Sequence, residues 1–135
     1  MLHPVQLASF AFMHLEYFLE GLTDEEARRR IPKEDGTEMN AISWIVGHIS
    51  MQWTMHALAA SPGPDEKLEQ LMNSMKPFGT RWGPADPTPP SLADALEYLH
   101  AARDASRWII EATVQTWTGR AGRATATPAA RTRAA

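Results

Sequence analysis

The stretch Asn40-Ala-Ile-Ser-Trp44-Ile-Val-Gly47-His48-Ile-Ser-Met-Gln52-Trp53-Thr-Met-His56-Ala-Leu-Ala-Ala60 repeats its apolar positions at spacings of three and four. That period belongs to a helix and not to a strand. Ile42, Ile45, Val46, Ile49, Trp53, His56 and Ala60 fall along one side, Asn40 can cap the start, and Ser61-Pro-Gly-Pro64 marks the end. Working outward, residues 4–21 repeat the pattern, with Phe12, Leu15, Leu19 and Leu22 as one stripe and Phe10, Tyr17 and Phe18 widening it. Thr23-Asp-Glu-Glu26 reads as a capping box opening a short helix to Arg30, ahead of Pro32 and a polar loop from Lys33 to Glu38.

Downstream, Asp65 to Met75 forms a short amphipathic segment carrying Leu68, Leu71, Met72 and Met75. Five prolines (77, 84, 87, 89, 90) then predict an extended loop over residues 77–90. Ser91-Leu-Ala-Asp94 opens a long helix to about Trp117, with Leu92, Leu96, Leu99, Ile110, Val114 and Trp117 inward. The fold class is therefore all-α: an up-and-down helical bundle. Residues 118–135 contain no Leu, Ile, Val, Met, Phe, Tyr or Trp, so they supply no apolar face for a fourth helix. The expected division is a bundle over residues 1–117 and a disordered Ala/Arg/Thr-rich tail over 118–135.

Charge follows the same boundary. The net charge of −3 combines a body of 9 basic and 16 acidic groups over residues 1–117 with a tail holding Arg120, Arg123, Arg131 and Arg133 and no acid. An acidic body argues against nucleic acid and anionic membrane as partners. No apolar run approaches the roughly 18 residues of a membrane span and no basic leader precedes the first helix, so a cytoplasmic protein is expected. With no Cys, thiolate metal sites, thiol nucleophiles and disulfides are excluded, and any metal must use His, carboxylate or water.

Five histidines remain as candidates for chemistry. His3 lies in the terminal segment, His14 among the aromatics of the first helix, and His56 on the apolar side of the second long helix. His100 stands near Asp104 and Arg107. His48 differs, because Gly47 removes a side chain beside it and lets a neighbouring helix or a ligand come close. One imidazole is not a metal site, and no HxxxH or HExxH occurs. Arg103 falls on the inward stripe of the last helix and, if buried, needs a carboxylate partner or a polar pocket; otherwise its stem snorkels near the bundle end.

Taken in order, Leu22-Thr23-Asp24-Glu25-Glu26, the Trp44 to Gly47-His48 helix, Phe78-Gly-Thr-Arg-Trp-Gly83 and Ser91-Leu-Ala-Asp-Ala-Leu-Glu-Tyr-Leu99 with Arg103 resemble the DinB-like family, within the DinB/YfiT superfamily of metalloenzymes. The resemblance implies a four-helix bundle, a divalent metal (zinc or nickel) held by three histidines, low-molecular-weight thiol chemistry of the mycothiol or bacillithiol kind, and homodimers. His48 falls on the position of the first metal ligand; the other two belong on a fourth helix at HxxxH spacing. The tail has no His, so the expected protein has an incomplete metal site and little or no transferase activity. The alternative is a non-catalytic module that dimerises or binds a partner helix through an open apolar groove. A truncated or frameshifted gene end would produce such a tail. An apolar-periodic HxxxH continuation in another reading frame after the Trp117 codon is the expected finding, and its absence would sink the idea.

Overall fold

Gly21 stands at φ +79°, a left-handed conformation that ends the first helix and redirects the chain. Two residues on, Thr23 accepts the Glu26 N–H through its hydroxyl while Glu26 accepts the Thr23 N–H, the reciprocal capping box anticipated from the sequence. The computed structural model describes residues 4–79 and 88–124. They form helices α1 (Pro4–Leu19), α2 (Asp24–Arg28), α3 (Ile42–Ala60), α4 (Glu66–Ser74) and α5 (Leu92–Ala124), with a 3-10 turn at Lys76–Gly79 before α5. Among the described residues there is no β-strand, only one antiparallel bridge between Pro32 and Glu38 around the Gly36 turn. The chain is all-α.

The main packing is α3 against α5, with α1 leaning on α5 and α4 closing over α3. Small side chains make that approach possible. Ser43, Gly47, Ser50, Thr54 and Ala57 are buried on α3, and Ala95, Ala102 and Ser106 on α5. The Ser50 and Thr54 hydroxyls donate to the carbonyls four residues earlier, at 2.8 and 2.9 Å, which satisfies them inside the interface. Larger groups fill the flanks. Trp44, Met51, Met75 and Phe78 pack with Ala41 and Ala102, while Phe12, Leu19, Val46 and Leu99 pack with Ala95. Ala57, Leu68 and Ile109 make a third cluster at the other end.

Several boundaries and faces differ from the sequence expectation. The N-cap of α3 is Ala41, without a side-chain bond, and not Asn40. Its buried face runs through Trp44, Val46, Gly47, Met51 and Thr54; of the expected stripe Val46 is buried and Ile49 and Trp53 are half-buried, whereas Ile42, Ile45, His56 and Ala60 are exposed. The helix turned toward its neighbours the face that let backbones approach, and hydropathy alone favoured the bulkier side. On α1, Phe12 and Leu19 are buried as expected, but Phe10, Tyr17 and Phe18 are exposed. The short helix α2 stops at Arg28, and Arg30 turns away to pair with Glu38 at 3.0 Å. Finally, α5 continues past Trp117 and through Gly119 and Gly122 to Ala124. Propagating an existing helix costs little, and Ala and Arg are good formers. The remainder of the expected tail, 125–135, and most of the Pro-rich loop, 80–87, lie outside the described residues, as does His3.

Asp24 ties α2 to the start of α5 by accepting the Leu92 N–H at 2.8 Å. That bond first, and the Arg28 guanidinium beside it, hold the Asp24 carboxyl below its ordinary value. The contribution is therefore complete above the ordinary carboxylate range and fades as pH falls below it.

Gly47 offers the sharpest check on this packing. A Cβ there would meet the Phe78 ring at 2.7–2.8 Å, far inside contact distance. Gly→Ala inside a helix ordinarily stabilises by about 1 kcal/mol. Here Gly47→Ala should instead destabilise by about 1–3 kcal/mol in chemical denaturation. A more stable variant would refute the close approach.

Candidate functional site around His48

Each residue around His48 has its place for a physical reason. The 3-10 turn at Lys76–Gly79 brings Phe78 down onto α3, and the bare Cα of Gly47 is the only reason the ring fits. With the ring seated, the Phe78 carbonyl lies 2.8 Å from His48 Nδ1. A carbonyl can only accept, so Nδ1 carries the proton and, in the neutral ring, Nε2 keeps its lone pair. The imidazole also stacks on Trp44, with centroids 5.1 Å apart and planes 10° from parallel. Half-buried, stacked and hydrogen-bonded, His48 is a single oriented nitrogen donor. Anchoring one nitrogen on a carbonyl is how ligating histidines are commonly aimed. Gln52, one turn on, is half-buried.

The other described histidines are elsewhere. His14 is exposed on α1, its ring 4.1 Å from Phe10 and its Nδ1 3.2 Å from the Phe10 carbonyl. His56 is exposed beside a hollow of about 180 Å³ lined by Trp53, Ala57 and Ile109. His100 is paired across to α1, with Nε2 2.7 Å from Glu16 Oε1.

That last contact belongs to a cluster only partly anticipated. Arg103 reaches the same Glu16 oxygen at 3.1 Å, so it has the carboxylate partner its position demanded, and it also meets Asp104 at 3.2 Å. His100 is exposed, as its surface-type spacing to Asp104 and Arg107 predicts, but its partner is Glu16 on α1. These groups line two adjoining hollows of about 520 and 370 Å³ between α1 and α5. The cluster ties α1 to α5, and its side chains are a third or more exposed, so each pair contributes at most about 1 kcal/mol.

A three-histidine metal centre does not fit this donor set. Among the described residues no group of three His, Cys, Asp or Glu could hold a metal ion. From Ala112 to Ala135 the sequence contains none of those residue types. His48 is thus one positioned ligand without the described companions of a tetrahedral site. Among the described residues no helix is long and apolar enough to cross a membrane.

The orientation of His48 has a direct spectroscopic consequence. Imidazole nitrogen NMR should find the neutral ring protonated at Nδ1, with His48→Gln removing the signal; protonation at Nε2 would contradict the Phe78 contact.

Comparison with curated proteins and with solved structures gave no significant match. The model of one family, the DinB superfamily, matches residues 9–134, which covers nearly the whole chain, including most of α1, the His48 helix and α5. This all-α chain, with its Gly47-His48 helix, belongs to the DinB superfamily.

Proposed function

We propose that this chain is a cytoplasmic DinB-superfamily protein related to the thiol-dependent transferases, with an incomplete divalent-metal site and little or no transferase activity. The observation that carries this reading is the state of His48. Its ring is aimed by the Phe78 carbonyl at 2.8 Å, as a ligand's would be, while His14 and His100 are engaged on Phe10 and Glu16. One imidazole with water holds zinc or nickel weakly, and an activated water or thiol needs a fixed open position on a firmly held ion. His48 is the one metal-binding residue in this proposal. A low-molecular-weight thiol remains the expected small-molecule partner should activity exist.

A second reading is favoured by a separate observation. Leu7, Phe10, Met13, Tyr17 and Phe18 of α1 are all more than half exposed, at 51–75%. A helix apolar on every side ordinarily has a neighbour on every side. On that reading the protein works as a helical interaction module, as a homodimer or with a partner helix.

Metal analysis of the purified protein, followed by zinc and nickel titration, tests the first reading. The expected result is a metal content well below one equivalent and weak binding that His48→Ala abolishes. Tight, near-stoichiometric metal would overturn it, whether or not His48→Ala removed the ion.

A further inference from the structure

We propose that the hollow between α4 and α5 is a binding site for a small aromatic anion, whose ring lies against Trp108 and whose carboxylate meets the Lys67 ammonium. The site shares no residue with the surroundings of His48 and goes beyond both readings of the protein's function.

The hollow follows from how the two helices are held. Leu68 of α4 and Ile109 of α5 are buried together on Ala57 of α3, with Ala105 packed beside them. That shared floor sets α4 next to α5, and the side chains above it decide how much of the gap is filled. On α5 these are Ala101, Ala105 and Trp108, at the spacings of four and three that place residues on one face. Alanine is too short to reach across to Leu68 and Leu71, and a hollow of about 440 Å³ remains. Small-ligand sites run from roughly 300 to 1,000 Å³. Trp108 is 52% exposed. An indole at the edge of an apolar hollow offers a flat face to a second ring, a contact favoured beyond the area it buries.

Charge on the rim selects the sign of the ligand. Lys67 and Asp65 both line the hollow. Asp65 Oδ1 accepts the Leu68 N–H at 3.0 Å as the N-cap of α4, so its carboxylate is turned to the helix end. Lys67 has no ion-pair partner among the described residues, and the positions three and four away on its own helix are Gln70 and Leu71. By contrast, Arg28, Arg29, Arg30, Arg103 and Arg107 each hold a carboxylate. The hollows between α1 and α5 differ in the same respect, because Glu16, His100 and Arg103 there satisfy one another. An apolar, aromatic-edged hollow with one unmatched cation complements a flat anion better than a neutral or cationic ligand of the same shape.

Naphthoate, a flat bicyclic carboxylate, and naphthamide, nearly the same shape without the charge, are the probes. Nitrogen–proton correlation NMR of the full chain reads both the place and the strength of binding. Naphthoate should bind saturably, shifting the Trp108 indole N–H together with the Ala101 and Ala105 amides. Naphthamide should bind about five-fold more weakly, the size of one exposed ion pair. Lys67→Met should lower naphthoate to the level of naphthamide and leave naphthamide unchanged, which separates charge recognition from damage to the fold. Ala101→Leu fills the hollow and should remove binding of both probes with helical circular dichroism unchanged. Absence of saturation up to the solubility of naphthoate would overturn the proposal. Equal affinity for the two probes would overturn it too, as would shifts centred on the exposed aromatics of α1 in place of Trp108. A dimer that Ala101→Leu dissociates, in a protein that naphthoate does not bind, would give the hollow to a second copy of the chain and refute the small-ligand site.

Discussion

The contact between Gly47 and the Phe78 ring is the constraint on which the rest of this structure depends. Only a residue without a Cβ lets the ring reach α3, and only with the ring in place does the Phe78 carbonyl stand 2.8 Å from His48 Nδ1. The same seat places Phe78 against Trp44, Met51 and Met75, which joins the 3-10 turn and α4 to the α3–α5 pair. Packing and site geometry therefore share one cause. A methyl group added at residue 47 strains both, whereas the stacking on Trp44 is made within α3 itself and does not need the ring.

The α3–α5 interface follows the same logic along its length. Small residues are buried on both helices, with the Ser50 and Thr54 hydroxyls turned back onto α3 carbonyls. The larger apolar side chains gather in clusters beside them. On α1 the balance is reversed. Large side chains appear on both sides; Phe12 and Leu19 are buried, whereas Phe10, Tyr17 and Phe18 are exposed.

Much of this was legible in the sequence. The Thr23 capping box and the all-α class follow from local chemistry that the fold does not override. Gly47 signalled a close approach beside His48, and Arg103 on an apolar stripe signalled a carboxylate partner, both met in the structure. What escaped was long-range. Nothing near Gly47 says that its neighbour is Phe78, and Glu16 lies 87 residues from Arg103. Hydropathy found only part of the buried face of α3: Val46 is buried and Trp53 half-buried as expected, but Ile42 and Ile45 are exposed while the small Ser43, Ser50 and Thr54 are buried. The extent of α5 beyond Trp117 was missed for a related reason, since glycine weakens a helix without forbidding its continuation.

Gly47, by admitting Phe78, sets the orientation of His48. The most direct test is imidazole nitrogen NMR of the Gly47→Ala variant beside the unmodified protein. Displacing Phe78 should remove the carbonyl from His48 and shift its neutral ring from the Nδ1–H form toward the Nε2–H form. An Nδ1–H signal of the same strength in the folded variant would contradict the claim.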